Sequence, residues 1–123
     1  MIEMDFDESR RRLHIRYTGF WSTQGAATVL STFKTVVMQA AAGGPFTLLD
    51  DLRDWSAQTG DVVEMNKAFA KFCAHVPIIR NAMAIPQALV RGQVRRTLDE
   101  NPTCRIFEHF DDAAAWLAEV EPG

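Results

Sequence analysis

The stretch "FTLLDDLRDWSAQTGD", residues 46–61, decides how the chain is read. Phe46 to Leu49 has the composition of a short buried strand, and Pro45 introduces it. The run then meets Asp50, Asp51, Arg53, Asp54 and Trp55, and a polar segment ends at Thr59-Gly60-Asp61. This pattern predicts a strand over 45–50 whose carboxyl end opens into a charged turn. A helix then starts at Thr59 or Asp61. On this reading Asp50 or Asp51 accepts backbone N–H bonds in a tight turn. Arg53 pairs with one of the carboxylates, and Trp55 covers the edge of the core.

Outward from this stretch, strands and helices alternate. Downstream, Val62, Met65, Phe69, Phe72 and Val76 step by three and four, with Glu64, Lys67 and Lys71 facing water, and Pro77 closes that helix. Upstream, Ser22 caps a helix reaching Ala42, whose inward stripe is Ala26, Val29, Leu30, Phe33, Val37 and Ala40. Gly43-Gly44 stops it by taking the left-handed C-terminal conformation. Before Gly19, Met1–Asp7 and Arg12–Thr18 alternate apolar and polar residues and predict a hairpin around Glu8-Ser9-Arg10. Beyond Pro77 follow a strand over Ile78–Ile85, a helix from Pro86 to about Leu98, and a strand over Cys104–Phe107. A last helix over Asp112–Val120 is capped by Asp111 and buries Ala113, Trp116 and Leu117.

The predicted order is β-β-α-β-α-β-α-β-α, an α/β fold. Alternation implies right-handed crossovers and a mostly parallel sheet, with the first strand antiparallel to the second. Phe33, Phe69, Phe72 and Trp116 lie on inward stripes and are expected in the core. With 123 residues, 47% of them hydrophobic and 24% charged, the chain reads as one domain over 1–123. The net charge of −3 argues against a nucleic-acid binder. No run approaches a membrane span, and the acidic start MIEMDFDE does not read as a signal peptide, so cytoplasm is the default. Cys73 and Cys104 have neither zinc spacing nor that of a disulfide framework. His14, His75 and His109 show no ligand spacing either, so no metal or other cofactor is expected.

Certain segments carry a family likeness: "YTGFWS", "TLLDDLRDW", "NAMAI" and the ending "CRIFEHFDDAAAWL". With the element order they resemble the SpoIIAA-like fold of STAS domains, closest to small stand-alone bacterial STAS/SEC14-type proteins. The likeness spans nearly the whole chain. It implies a mixed five-stranded SpoIIAA-like sheet covered mainly on one side by helices, and often a homodimer. It also implies a phosphoacceptor at the start of the helix after the acidic turn, where Ser56 and Thr59 lie. A helix N-terminus there would stabilise a phosphate. This chain reads Trp55-Ser56-Ala57-Gln58-Thr59-Gly60 in place of the family's Asp-Ser-Ser-Gly, and Thr59 also reads as a plain N-cap.

Ligands of open α/β sheets bind beyond the carboxyl ends of the strands. Four segments are expected at that edge: Gly19–Ser22, Asp50–Ser56, Ile85–Gln87 and Glu108–Phe110. They bring Phe20, Trp21, Asp51, Arg53, Asp54, Trp55 and Phe110 to one place. If the aromatics among them converge, they line an apolar pocket or contact surface. His109 with Asp51 or Asp111 is a candidate acid–base pair, without a nucleophile motif beside it. Arg91 and Arg95, at i,i+4, could receive an acidic partner, and Arg10-Arg11-Arg12 reads as a hairpin turn. The reading that results is a non-enzymatic binding or regulatory module, a homodimer acting through protein–protein contact at the carboxyl-end edge. The alternative is a carrier of a small hydrophobic or lipid-like ligand. An enzyme using Asp51, Asp54 and His109 comes third.

Overall fold

The computed structural model describes residues 1–98 and 101–122. Its elements are β1 (Ile2–Asp7), β2 (Arg12–Gly19), α1 (Thr23–Ala42), β3 (Phe46–Trp55), α2 (Gly60–Cys73), β4 (Ile78–Ala84), α3 (Ala88–Leu98), β5 (Cys104–Phe107) and α4 (Phe110–Ala118). The sheet has five strands in the order β1-β2-β3-β4-β5. β1 is antiparallel to β2, and β2, β3, β4 and β5 are mutually parallel. This is the expected α/β order and mixed sheet, and it matches the SpoIIAA-like topology.

Successive crossovers of one hand, stepping one way across a sheet, put their helices on one face. α1, α2 and α3 accordingly share a core with Leu13, Ile15 and Tyr17 of β2 and Leu48 and Leu52 of β3. α4 closes no crossover and lies on the opposite face, where Ala113 and Leu117 pack on Leu49, Ala82 and Ala84. No helix among the described residues is long and apolar enough to cross a membrane.

The main departure from the sequence reading is β3, which does not end at Asp50. It runs on to Trp55, and Asp50 and Asp51 are buried inside it. The strand tolerates both carboxylates because each finds side-chain partners. Asp51 Oδ1 also accepts from the Arg53 backbone N–H at 3.2 Å, as expected of one of the two, though within the strand and not in a turn. Near its end the β2–β3 register moves from Arg16↔Asp51 to Thr18↔Asp54, two steps along β2 against three along β3. The extra residue is a bulge that inverts the in–out alternation. Trp55 therefore returns to the α1–α3 core, although it is three residues from Leu52.

Helix ends also differ from expectation. Ser22 is the N-cap of α1 and accepts from the Gly25 N–H at 3.0 Å. At the other end the positive φ belongs to Gly44 (φ 115), whereas Gly43 is right-handed. The terminal carbonyls are held by Arg11, whose guanidinium donates to the Ala40 and Gly44 carbonyls at 2.9 and 3.0 Å. A cation there also complements the helix dipole. The arginine run is thus more than a turn, since Arg12 binds the buried Glu121 carboxylate and fixes the C-terminal segment on the sheet. Thr59 is the N-cap residue of α2 but makes no side-chain cap bond. The N-cap of α4 is His109, not Asp111, and its ring makes no cap bond either. Ser22→Ala should therefore lower stability by about 1 kcal/mol. The exposed Thr59→Ala should change it by no more than about 0.5 kcal/mol. Paired urea titrations read both.

Of the four aromatic residues expected in the core, only Phe33 is fully buried. Phe69 and Phe72 are half-buried because α2 packs at the rim, with Val62 its one buried residue. Trp116 is also half-buried, tilted against Phe107 and covered by the Arg80 guanidinium 4.6 Å from its ring.

Candidate functional site

The carboxyl-end edge is knit together by backbone and amide contacts. The Ser56 N–H donates to the Gly19 carbonyl at 3.2 Å, and Gln87 Nε2 donates to the Arg53 carbonyl at 2.7 Å. Buried Gln58, which sequence reasoning missed, is the hub. Its Oε1 accepts from the Trp21 N–H at 2.9 Å, its Nε2 donates to the Gly19 carbonyl, and its backbone exchanges two bonds with the Gln93 amide on α3. The guanidinium of Arg91 folds back onto the Ile85 and Pro86 carbonyls through one terminal nitrogen.

The four edge aromatics do not converge. Trp21 and Trp55 are buried edge to face, 5.0 Å apart, on the α1–α3 side with Tyr17. Phe20, beside them in sequence, points outward and is 62% exposed. Phe110 lies on the opposite face of the sheet, tilted against His14 at 5.7 Å with the Arg53 guanidinium 4.2 Å from its ring. The cause is the bulge near the end of β3, which sends Arg53 and Trp55, two residues apart, to opposite faces of the sheet.

Asp51 and Arg53 do meet, on the α4 face. Arg53 donates from Nε to Oδ1 at 2.9 Å and from a terminal nitrogen to Oδ2 at 2.7 Å. Burial raises the Asp51 carboxyl, but the bonds and charge of Arg53 outweigh it and hold the group below its ordinary value. His14 Nε2 stands 3.8 Å from Oδ2, buried without a hydrogen-bond partner. The histidine beside Asp51 is thus His14 and not His109, which is an exposed cap. Asp54 pairs with Arg16 at 2.8 Å at the surface. With both Asp51 oxygens occupied by one guanidinium, this cluster is a closed ion pair rather than an available base. Ser56 and Thr59 are both exposed in the loop before α2.

The more distinctive site lies on the other face of the same strand. Asp50, one residue before Asp51, points under α2 and α3 into a cavity of about 70 Å³. Its lining is mainly apolar, from Phe33, Leu48, Leu52, Phe69, Met83 and Val94. Asp50 Oδ1 accepts from the Tyr17 hydroxyl at 2.9 Å, and Oδ2 accepts from Asn81 Nδ2 at 2.8 Å. A register shift places Asn81 there: β4 takes three steps from Ile78 to Asn81 while β3 takes two from Phe46 to Leu48.

Burial raises the Asp50 carboxyl to about 6, although the bonds from Asn81 and Tyr17 pull the other way. Burial and the Asp50 carboxylate push the Tyr17 hydroxyl well above its usual value. The same two causes push the Cys104 thiol to about 11 and the Cys73 thiol upward as well. Both thiols line the cavity and stay protonated, so neither is a ready nucleophile. Trp55 also lines the cavity, and its indole N–H is buried without a partner. Among the described residues no Lys, Arg or His lines it, and no group of His, Cys, Asp and Glu there or elsewhere could hold a metal ion. One signal in the sequence did point here. Asp50 sits between Leu48 and Leu52 on the inward parity of the strand.

No protein-family model matches the chain, and none of the curated proteins is significantly similar to it in sequence.

Proposed function

We propose that this chain is a non-enzymatic binding module that holds a small apolar ligand between the sheet and helices α2 and α3. The observation that carries the reading is the cavity, which combines an apolar wall with a few convergent polar groups and a carboxyl shifted by burial. That combination is the usual signature of a small-molecule site. Its volume of about 70 Å³ sets the scale. A single water occupies roughly 10–15 Å³ on such a measure, so the space suits a molecule of several heavy atoms rather than a lipid chain. The pocket aromatics are Tyr17, Trp55, Phe33 and Phe69, not the loop residues Phe20 and Phe110.

Native mass spectrometry of freshly purified protein tests this. A bound small-molecule mass is expected, and Ala70→Leu, which fills the cavity from α2, should abolish it. A clean apo chain whose melting temperature no small apolar compound raises would contradict the reading.

A second reading is protein–protein contact at the carboxyl-end edge, including a homodimer. It is favoured by Phe20, an aromatic ring left 62% exposed at that edge. Arg53 and Asp54 at the end of β3, and Ser56 and Thr59 in the loop that follows, are exposed polar residues of the same edge, and Ser56 and Thr59 would be its phosphoacceptors. On this reading the same spectra show a dimer that Phe20→Ser dissociates.

A further inference from the structure

The charges around the cavity specify what kind of molecule fits it, given that it is a binding site as proposed above. Among the described residues, Asp50 is the one acidic side chain in its lining and no cation faces it. Outside α3, the polar groups that line the cavity with it are the Tyr17 hydroxyl from β2, the Asn81 amide from β4, Asn66 and the Cys73 thiol from α2, Asn101 and Thr103 from the turn before β5, and the Cys104 thiol from β5. Of these only Tyr17 and Asn81 bond to the carboxylate. α1 contributes Phe33, and α3 contributes the uncharged Gln93, Val94, Thr97 and Leu98. Two neutral donors cover one lone pair on each carboxylate oxygen, and an ionised carboxylate offers about four acceptor sites. The carboxylate therefore keeps unused acceptor capacity and an uncompensated charge in an apolar setting, an arrangement that strongly favours a cationic donor.

The aromatic rings add to this. Tyr17, Trp55, Phe33 and Phe69 line the same space, and ring faces attract an ammonium group. The indole N–H of Trp55, whose ring lines this cavity, is buried with no acceptor in the protein. A carboxylic acid or phosphate ligand would meet Asp50 with like charge and no compensating cation.

We propose that the cavity binds a small apolar molecule through a protonated amine, with the Asp50 carboxylate as its counter-ion and Tyr17 and Asn81 holding that carboxylate in place. Asp50 binds here and does no chemistry.

The test compares isobutylamine, isobutanol and isobutyrate, which share a carbon frame and differ in the head group. Each is titrated into the full chain and followed through the Trp55 indole resonance by NMR. At pH 7.5 the amine should bind at least about tenfold more tightly than the alcohol, and isobutyrate should not bind. Its affinity should fall about tenfold from pH 7.5 to pH 5 as Asp50 takes up a proton, while the alcohol's stays flat. The amine itself remains protonated throughout. Asp50→Asn should bring the amine down to the alcohol's affinity. The comparison and the pH profile need only the wild-type chain, so a folding defect in the variant would not blunt them. If isobutanol or isobutyrate matches the amine, or the amine's affinity ignores pH, the counter-ion role of Asp50 is overturned and the cavity survives as a site. If none of the three shifts the indole resonance or raises the melting temperature, both the counter-ion and the binding module are overturned.

Discussion

Asp50→Asn should stabilise the folded chain by about 2–3 kcal/mol at pH 8 and by almost nothing at pH 4. Burial raises the Asp50 carboxyl from 3.8 to about 6, a change that corresponds to roughly 3 kcal/mol. The sign follows from proton linkage. A folded-state value above the unfolded one means that the native state binds the proton more tightly. The favourable contribution is complete below pH 3.8 and is lost as pH rises through about 6. Above that the fold carries an ionised carboxylate in its core at its own cost. Asparagine has the shape of the neutral acid and can accept from one of Tyr17 and Asn81, so it removes the charge without opening a hole. Urea unfolding of both chains at the two pH values measures the effect. Equal stability differences at pH 4 and pH 8 would show that Asp50 is not the buried, raised group described here.

Phe33→Ala should destabilise the chain by about 3–5 kcal/mol, the range for removing a buried aromatic ring. Phe33 is only 1% exposed and sits at the centre of the α1–α3 core, 4.5 Å from the Phe69 ring and 6.2 Å from that of Tyr17. Its loss would also enlarge the cavity it lines. Phe69→Ala should cost clearly less, about 1–3 kcal/mol, because that ring is half-buried on the rim helix. A Phe69 effect equal to that of Phe33 would mean that α2 is packed as tightly as α1. That would weaken the case for a cavity beneath it.

The pair also illustrates what the sequence could and could not convey. Helical spacing correctly put both rings on inward stripes, since periodicity reports direction. It does not report depth. α1 crosses the middle of the core, where Phe33 is sealed, and α2 lies at the rim. Element order and the parallel sheet were legible because alternation and crossover handedness are local rules with a global consequence. The end of β3 was not. Asp50 and Asp51 look like the start of a loop until their partners are known. Tyr17 and Asn81 lie 33 and 31 residues from Asp50 in the chain, and no local pattern links them. Arg53 lies close to Asp51, and the sequence reading did pair it with a carboxylate. The bulge that swings Trp55 back into the core has no local signature either, so the expectation that Trp55 and Phe110 share a pocket fails at that point.

The account turns on Asp50 facing the cavity as a buried, ionisable group. The most direct measurement is a pH titration of the aspartate side-chain carboxyl carbons by NMR, with and without isobutylamine. Asp50 should titrate near 6 in the free chain while Asp51 titrates below the ordinary range. The amine should move the Asp50 midpoint downward, because it binds the ionised form. An Asp50 that titrates at an ordinary value near 4 and ignores the amine would contradict the account.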